Sequence, residues 1–237
     1  MQIFWAEKSN ESQAWLDEAE TKHCIKVLRH KVGDHLDCID GQGWYLKGEV
    51  VGFAAGRTEL NILEQIENWG EHESELILAV SPLRLRDRFE WLVEKAVELG
   101  VNQLVPLRCT YTDVYRAKYK EGRILGIMKA ALKQCKRSRL PELQPLEDFK
   151  SWISRVRPEL GLMAHCEADQ AWQAATAKAK ERKQIHLLIG PEGDFHPEEI
   201  ALAEERGFVS VHLGANRLRS ETAAFHVLSL LKGQLGY

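Results

Sequence analysis

Three stretches of the chain pass from strand-forming residues into groups that could do chemistry. They are MAHCEADQ (residues 163–170), IGPEGDF (189–195) and LGANRLRSETAAF (213–225). Gly190, Gly193 and Gly214 leave backbone N–H and C=O groups open to a ligand, because no Cβ stands in the way. The usual guest at such a place is a phosphate, held by G-x-x-x-x-G-K-[ST] or G-x-G-x-x-G. Neither pattern occurs, and Glu192 and Asp194 would repel a polyphosphate. The loops therefore suit a neutral or cationic ligand. Each also has a plainer reading. GPEGD can be a tight turn into a helix that starts at Pro197, with Glu198 and Glu199 complementing the helix dipole. RSETAAF can be an imperfect capping box with Ser220 as its N-cap. Occurring together, at successive strand ends, they point to a shared site.

The elements that must position these loops alternate regularly from residue 76 onward. ELILAVS, NQLVPL, GLMAHC, IHLLIG and FVSVHLG read as strands. Between and after them, RDRFEWLVEKAVELG, GRILGIMKAALKQCKR, an Ala-rich stretch from Asp169, HPEEIALAEERG and SETAAFHVLSLLKGQL read as helices. Such alternation predicts a parallel sheet covered on both faces, and open parallel sheets bind ligands at the carboxyl ends of their strands. The N-terminal part reads differently. A helix around residues 18–30 precedes a hairpin folded at Asp40-Gly41-Gln42-Gly43, and ELNILEQIE is a further strand. Residues 1–70 thus form a small β-rich domain, NWGEHESE is a polar linker, and residues 74–237 form the larger domain.

Composition narrows the class. With 237 residues the chain can bury roughly 70–75% of its unfolded surface, so it needs neither metal nor disulfide for stability. Five cysteines without a C-x-x-C pair suggest reduced thiols, and no secretory leader or membrane-spanning run is legible, so a cytoplasmic location is expected. None of the nine histidines has metal-ligand spacing, so no metal is expected, and His226 reads as a packed core residue. The net charge of −3 excludes a nucleic-acid field over the whole molecule. Three local basic clusters remain: Lys26, Arg29 and Lys31; Arg84, Arg86 and Arg88; and Lys133, Lys136, Arg137 and Arg139. A charge run is most often a solvated face, but three of them in a net-acidic chain suggest a surface that tracks phosphates.

Five segments, in order, carry a family resemblance. HCIKVLRHKVGD and IDGQG are similar to H-x-x-x-VLR-x-x-x-GD and DG elements. RDRFEWLVEKAVELGV is similar to K-x-x-R-x-E-x-x-x-EKA-x-ELGV, and KAALKQCKRSRLPEL to A-x-EQ-x-x-R-x-x-x-P. IGPEG followed by LG-x-x-x-LR-S-ET-A completes the set. On these segments the chain resembles, over nearly its whole length, the RsmE family of SPOUT methyltransferases. The resemblance implies an α/β fold, a SPOUT-type parallel sheet with a C-terminal trefoil knot, and a small β-rich PUA-like N-terminal domain. It implies S-adenosylmethionine as cofactor, N3 of one uridine in small-subunit (16S) ribosomal RNA as target, and a homodimer as the working unit.

The same resemblance assigns residues. Ile189, Gly190, Pro191, Glu192 and Gly193 would form one wall of the cofactor pocket. Leu213, Gly214, Leu218, Arg219, Thr222 and Ala223 would form another, with His165 and Glu167 closing the third side. Arg219 would stabilise negative charge on a uracil oxygen, and Glu221 would orient Arg219, accept a proton, or only complement a helix dipole. The chain departs from the family at Asp194, where a second glycine is usual, and at His196, where a serine is usual. The lost serine cap would cost about 1 kcal/mol, unless Asp194 caps instead. The competing readings are another SPOUT activity, such as ribose 2′-O-methylation, and a non-catalytic RNA-binding ribosome assembly factor.

Overall fold

The computed structural model describes residues 2–113 and 119–236, which divide into two compact units. The first unit comprises Met1–Glu71 together with Lys129–Leu140. Five strands close into a barrel: β1 (Ile3–Lys8), β2 (Gln13–Leu16), β3 (His35–Ile39), β4 (Trp44–Ala54) and β5 (Arg57–Glu67), in the order β1-β2-β5-β4-β3. Alternate side chains turn inward, and Phe4, Ala6, Leu16, Leu36, Cys38, Leu46, Val50 and Leu60 fill the interior. The β3–β4 turn closes on Asp40, whose Oδ1 accepts the N–H of Gln42 at 2.7 Å and of Trp44 at 3.0 Å. Gly41 in this turn has φ +75°, and a Cβ there would lie 2.1 Å from the Trp5 ring, so only glycine fits.

Two features of this unit differ from the sequence reading. The expected helix over residues 18–30 is shorter: α1 (Glu18–Lys22) runs into one π-helical turn at His23–Val27, and Arg29 adopts φ +61°. That widened turn buries Cys24 fully while Lys26, Val27 and Leu28 stay exposed. The unit also takes in Lys129–Leu140, which a contiguous division assigned to the larger domain. Long-range bonds explain this. Arg137, 4% exposed, lies 2.7 Å from the Glu71 carboxylate, which also accepts the N–H groups of Ser138 (3.0 Å) and Arg139 (2.8 Å).

The second unit holds a seven-stranded sheet among the described residues. Its strands are β6 (Glu75–Val80), β7 (Gln103–Arg108), β8 (Glu142–Leu143), β9 (Glu147–Asp148), β10 (Leu160–Ala164), β11 (Gln184–Ile189) and β12 (Phe208–Val211). The order is β12-β10-β11-β6-β7-β8, with β9 also on β7, and every pairing is parallel. Burial on both faces explains why β6 is an unbroken apolar run after Glu75 and why β11 is apolar from Ile185 to Ile189 except at His186. On one face Ile77, Ala79, Val105, Met163 and Leu188 pack with Phe149, Trp152 and Ile153 of α4 (Phe149–Arg155) and Ala203 of α6 (Pro197–Glu205). On the other, α7 (Ser220–Leu235) packs on β11 and on α2 (Arg86–Glu98). The buried side of α7 carries Ala224, Val227, Leu228 and Leu231. His226 lies off that stripe and is partly exposed, so it is not the core residue expected.

The division between the units falls within α3 (Glu121–Cys135), whose residues to Met128 belong to the second unit and the rest to the first. The Ala-rich helix expected from Asp169 shrinks to α5 (Trp172–Ala175) and a 3-10 turn at Ala179–Glu181. Ala171 offers no side-chain cap, and the Thr176 hydroxyl donates to the Trp172 carbonyl at 2.9 Å, competing with continuation of the helix. Among the described residues no helix is long and apolar enough to cross a membrane.

Candidate active site

Sheet order places the three chemically unusual loops side by side, because β10 lies between β12 and β11. Their carboxyl ends and the start of α7 enclose a cavity of about 570 Å³. Ala164, His165 and Cys166 come from the first loop, Ile189–Glu192 and Asp194 from the second, and His212–Arg219 from the third. Ser220, Glu221 and Ala223 of α7 and Arg88 of α2 complete the wall. Gly214 has φ +111° and open space where a Cβ would be, so its backbone conformation, and not crowding, calls for glycine there.

Three of the four acids of GPEGDFHPEE prove to be fasteners. Glu192 Oε1 accepts the Arg84 N–H after β6 at 2.9 Å. Asp194 Oδ2 accepts the Cys166 N–H after β10 at 3.0 Å, and its Oδ1 accepts the Phe195 N–H at 2.9 Å. Glu199, 2% exposed, accepts the Thr110 N–H after β7 at 2.8 Å. One loop thereby ties down the strand ends on either side of it, and each carboxylate is satisfied by backbone amides. The expected loss of a helix cap does not occur. His196 is itself the N-cap of α6, accepting the Glu198 N–H on Nδ1 at 3.3 Å, while Glu199 returns a bond to the His196 N–H at 2.9 Å. Asp194 does not cap; it joins loops.

Most of the sequence-derived cofactor residues line the cavity: His165, Ile189, Gly190, Pro191, Glu192, Leu213, Gly214, Leu218, Arg219 and Ala223. Three do not. A Cβ on Gly193 would meet the Tyr111 side chain at 3.0 Å, so that residue backs onto another loop. Thr222 is exposed, one helical step round α7 from the buried Glu221. Glu167 lines a separate groove with Asp169 and Glu204. Sequence reasoning missed Cys166, Asn216, Arg217 and Arg88 as lining residues. The first three lie inside the loops it singled out, whereas only the fold could bring Arg88 to the site.

The catalytic candidates occupy different surroundings. Arg219 is exposed and extended (φ −72°, ψ 154°), and it, not Ser220, is the N-cap of α7, with no side-chain capping bond. Glu221 is buried, and its carboxylate lies 3.6 Å from the Arg88 guanidinium. Its ionic partner among the described residues is therefore Arg88, so of the three readings open for Glu221 the orienting of Arg219 has no bond behind it here. The Cys166 thiol is held above the usual thiol range, first by partial burial of its sulfur and then by the Asp194 carboxylate. It is thus not primed as a nucleophile. What remains is a glycine-walled, partly apolar cavity with an exposed guanidinium at its edge, suited to binding and to stabilising developing negative charge.

The basic clusters fare unevenly as phosphate contacts. Lys26, Arg29, Lys31, Lys136 and Arg139 are exposed. Arg137 is buried against Glu71, and Lys133 is hydrogen-bonded to Glu20, so neither offers a free cation to a phosphate. Both were misread because their acidic partners lie far away in sequence. Arg84 and Arg86 are exposed but sit 3.4 Å from Asp113 and Glu90, and Arg88 belongs to the cavity.

With this geometry in view, comparison with known proteins is specific. An RNA methyltransferase domain matches residues 70–232. The ribosomal RNA small subunit methyltransferase E of Bacillus subtilis is 26% identical over 91% of this chain and 88% of its own length. A methyltransferase from Legionella pneumophila, solved with bound SAM, superposes with a TM-score of 0.82 at 26% identity, covering 98% of this chain and 96% of that one. The small subunit methyltransferase E of Neisseria gonorrhoeae shares the fold, with a TM-score of 0.84 at 23% identity over 99% and 98% of the two chains.

Proposed function

The chain belongs to the RNA methyltransferase domain family, and on that premise we propose that it transfers a methyl group from S-adenosylmethionine to N3 of a uridine in small-subunit (16S) ribosomal RNA. The observation that carries this reading is the cavity at the joined ends of β10, β11 and β12, bordered by the exposed Arg219. Its volume falls within the roughly 300–1,000 Å³ usual for small-ligand sites. Ile189, Leu213, Leu218 and Ala223 supply apolar wall, and the Gly190 and Gly214 loops supply open backbone, which fits an adenosine-bearing ligand better than a polyphosphate. When bound, S-adenosylmethionine supplies a methyl group activated on a sulfonium.

The residues of the chain then have defined work. Uracil N3 carries a proton that must pass to solvent water for nitrogen to attack; charge builds on the ring oxygens, and as the N–C bond forms the methyl's bond to sulfur breaks, leaving a neutral thioether. Arg219 holds that charge as an electrostatic stabiliser. Glu221 and Arg88 form a buried-edge pair that fixes the start of α7, and the strand-end loops set the line of approach. On the same reading the C-terminal loops form a trefoil knot. The five-stranded barrel is a PUA-like RNA-binding module presenting Lys26, Arg29 and Lys31, and the protein works in the cytoplasm. The homodimer is supported by an exposed aromatic pair, Trp91 of α2 and Phe225 of α7, with ring centroids 5.7 Å apart on the helices that also carry Arg88 and Glu221.

Two measurements test the proposal. Calorimetric titration with S-adenosylmethionine is expected to show one binding event per chain; no detectable binding would leave only an RNA-binding assembly factor. Incubation with labelled cofactor and unmethylated small-subunit RNA is then expected to yield N3-methyluridine, whereas a 2′-O-methylated product would replace the base by the ribose as target.

A further inference from the structure

Asp194 has φ +68°, a left-handed conformation that costs most side chains and that aspartate tolerates when local hydrogen bonds compensate. Here they do. Its own N–H reaches the Pro191 carbonyl at 3.0 Å, and its two carboxylate oxygens take the N–H groups of Phe195 and Cys166. The bond to Cys166 has structural weight because little else holds that segment. Upstream, the His165 N–H bonds to Val211; downstream, the Gln170 carbonyl accepts from His212. Between these anchors, the bond from Cys166 to Asp194 is the only one that ties this loop's backbone to another loop among the described residues. His165 and Cys166 both line the cavity, so the position of that wall depends on one carboxylate in another loop.

We propose that Asp194 is a positioning residue, a clasp that joins the loop after β10 to the loop after β11 and so holds one wall of the cofactor cavity in its binding geometry. The purpose of the clasp rests on the methyltransferase reading; its existence does not. Asp194→Gly is the informative variant, since glycine keeps the left-handed backbone and removes only the carboxylate. Asp194→Asn also tolerates the conformation but retains one acceptor oxygen in place of two.

Hydrogen exchange on the ligand-free protein is expected to show the Cys166 amide exchanging about tenfold faster or more in Asp194→Gly, as loss of a bond to a charged acceptor implies. Calorimetry is expected to show the Kd for S-adenosylmethionine raised by about the same factor, with Asp194→Asn intermediate and the melting temperature near that of the wild type. In turnover the loss should appear in KM for the cofactor more than in kcat, the split a positioning role demands. Unchanged Cys166 exchange in Asp194→Gly would overturn the clasp. Faster exchange with unaltered Kd would overturn its role in binding. A wild-type protein that fails to bind S-adenosylmethionine would instead overturn the methyltransferase reading, leaving the exchange result to decide the clasp alone.

Discussion

Arg219 and Glu221 stand two residues apart and do different things, because a helix begins between them. Arg219 is the extended N-cap residue, so its guanidinium stays in solvent at the cavity edge. Glu221 is in the first turn, buried and facing Arg88. An exposed guanidinium contributes little to folding, whereas it can contribute much to a transition state that gathers negative charge. Arg219→Ala is therefore expected to lower turnover by about 100-fold or more while leaving the melting temperature near wild type. Wild-type turnover in that variant would remove the role assigned to Arg219. At this scale much of the site was legible: glycine-rich strand ends and the absence of a phosphate motif suffice to point at these loops. What was not legible was direction. Gly193 and Thr222 sit inside the right motifs but lie off the cavity, and Glu192 and Asp194, which do line it, also hold backbone amides of neighbouring loops.

At the scale of elements, long periodic segments such as α2, α7, β6 and β11 were readable because burial imposes their pattern locally. The short strands β1 and β2 were not: they pair with each other locally, but their other partners in the barrel, β3 and β5, are distant in sequence. Lys129–Leu140 escaped for the same reason: Glu71 recruits it to the first unit through Arg137, Ser138 and Arg139. Breaking a buried pair leaves an uncompensated charge, so Arg137→Ala is expected to destabilise the first unit by about 3–5 kcal/mol in denaturant unfolding. A loss within 1 kcal/mol, on the order of a surface ion pair, would contradict that assignment.

His186, in β11, gives the second unit an acid-sensitive point. It is 8% exposed, its Nδ1 is buried without a partner among the described residues, and burial holds its pKa down to about 4. The folded state thus binds this proton less readily than the unfolded state. Above an ordinary histidine pKa of about 6.5 both states are neutral and the group has no effect; as pH falls from there towards 4, the unfolded state protonates first and stability drops by about 1.4 kcal/mol per unit. His186→Phe removes the proton site without orphaning a bonded group, and the Trp152 and Phe208 rings lie around it at 6.2 Å. Between pH 7 and pH 5 the variant is expected to lose less melting temperature than the wild type; parallel losses would show that His186 is not the sensitive group.

For the whole molecule, the parts support one another. A parallel sheet collects three loops, one of those loops fastens its neighbours with carboxylates, and the cavity they make is flanked by an arginine suited to an anionic transition state. A barrel unit that exposes Lys26, Arg29 and Lys31 belongs to the same chain, and on the proposed reading these cations meet RNA phosphates. The central claim is the identity of the methylated atom. It is tested most directly by mapping modified nucleosides in small-subunit ribosomal RNA from cells lacking this protein, with and without its restoration. The account predicts that N3-methyluridine disappears from one position and returns with the wild-type chain but not with Arg219→Ala. N3-methyluridine persisting at full level in the deletion strain would contradict it.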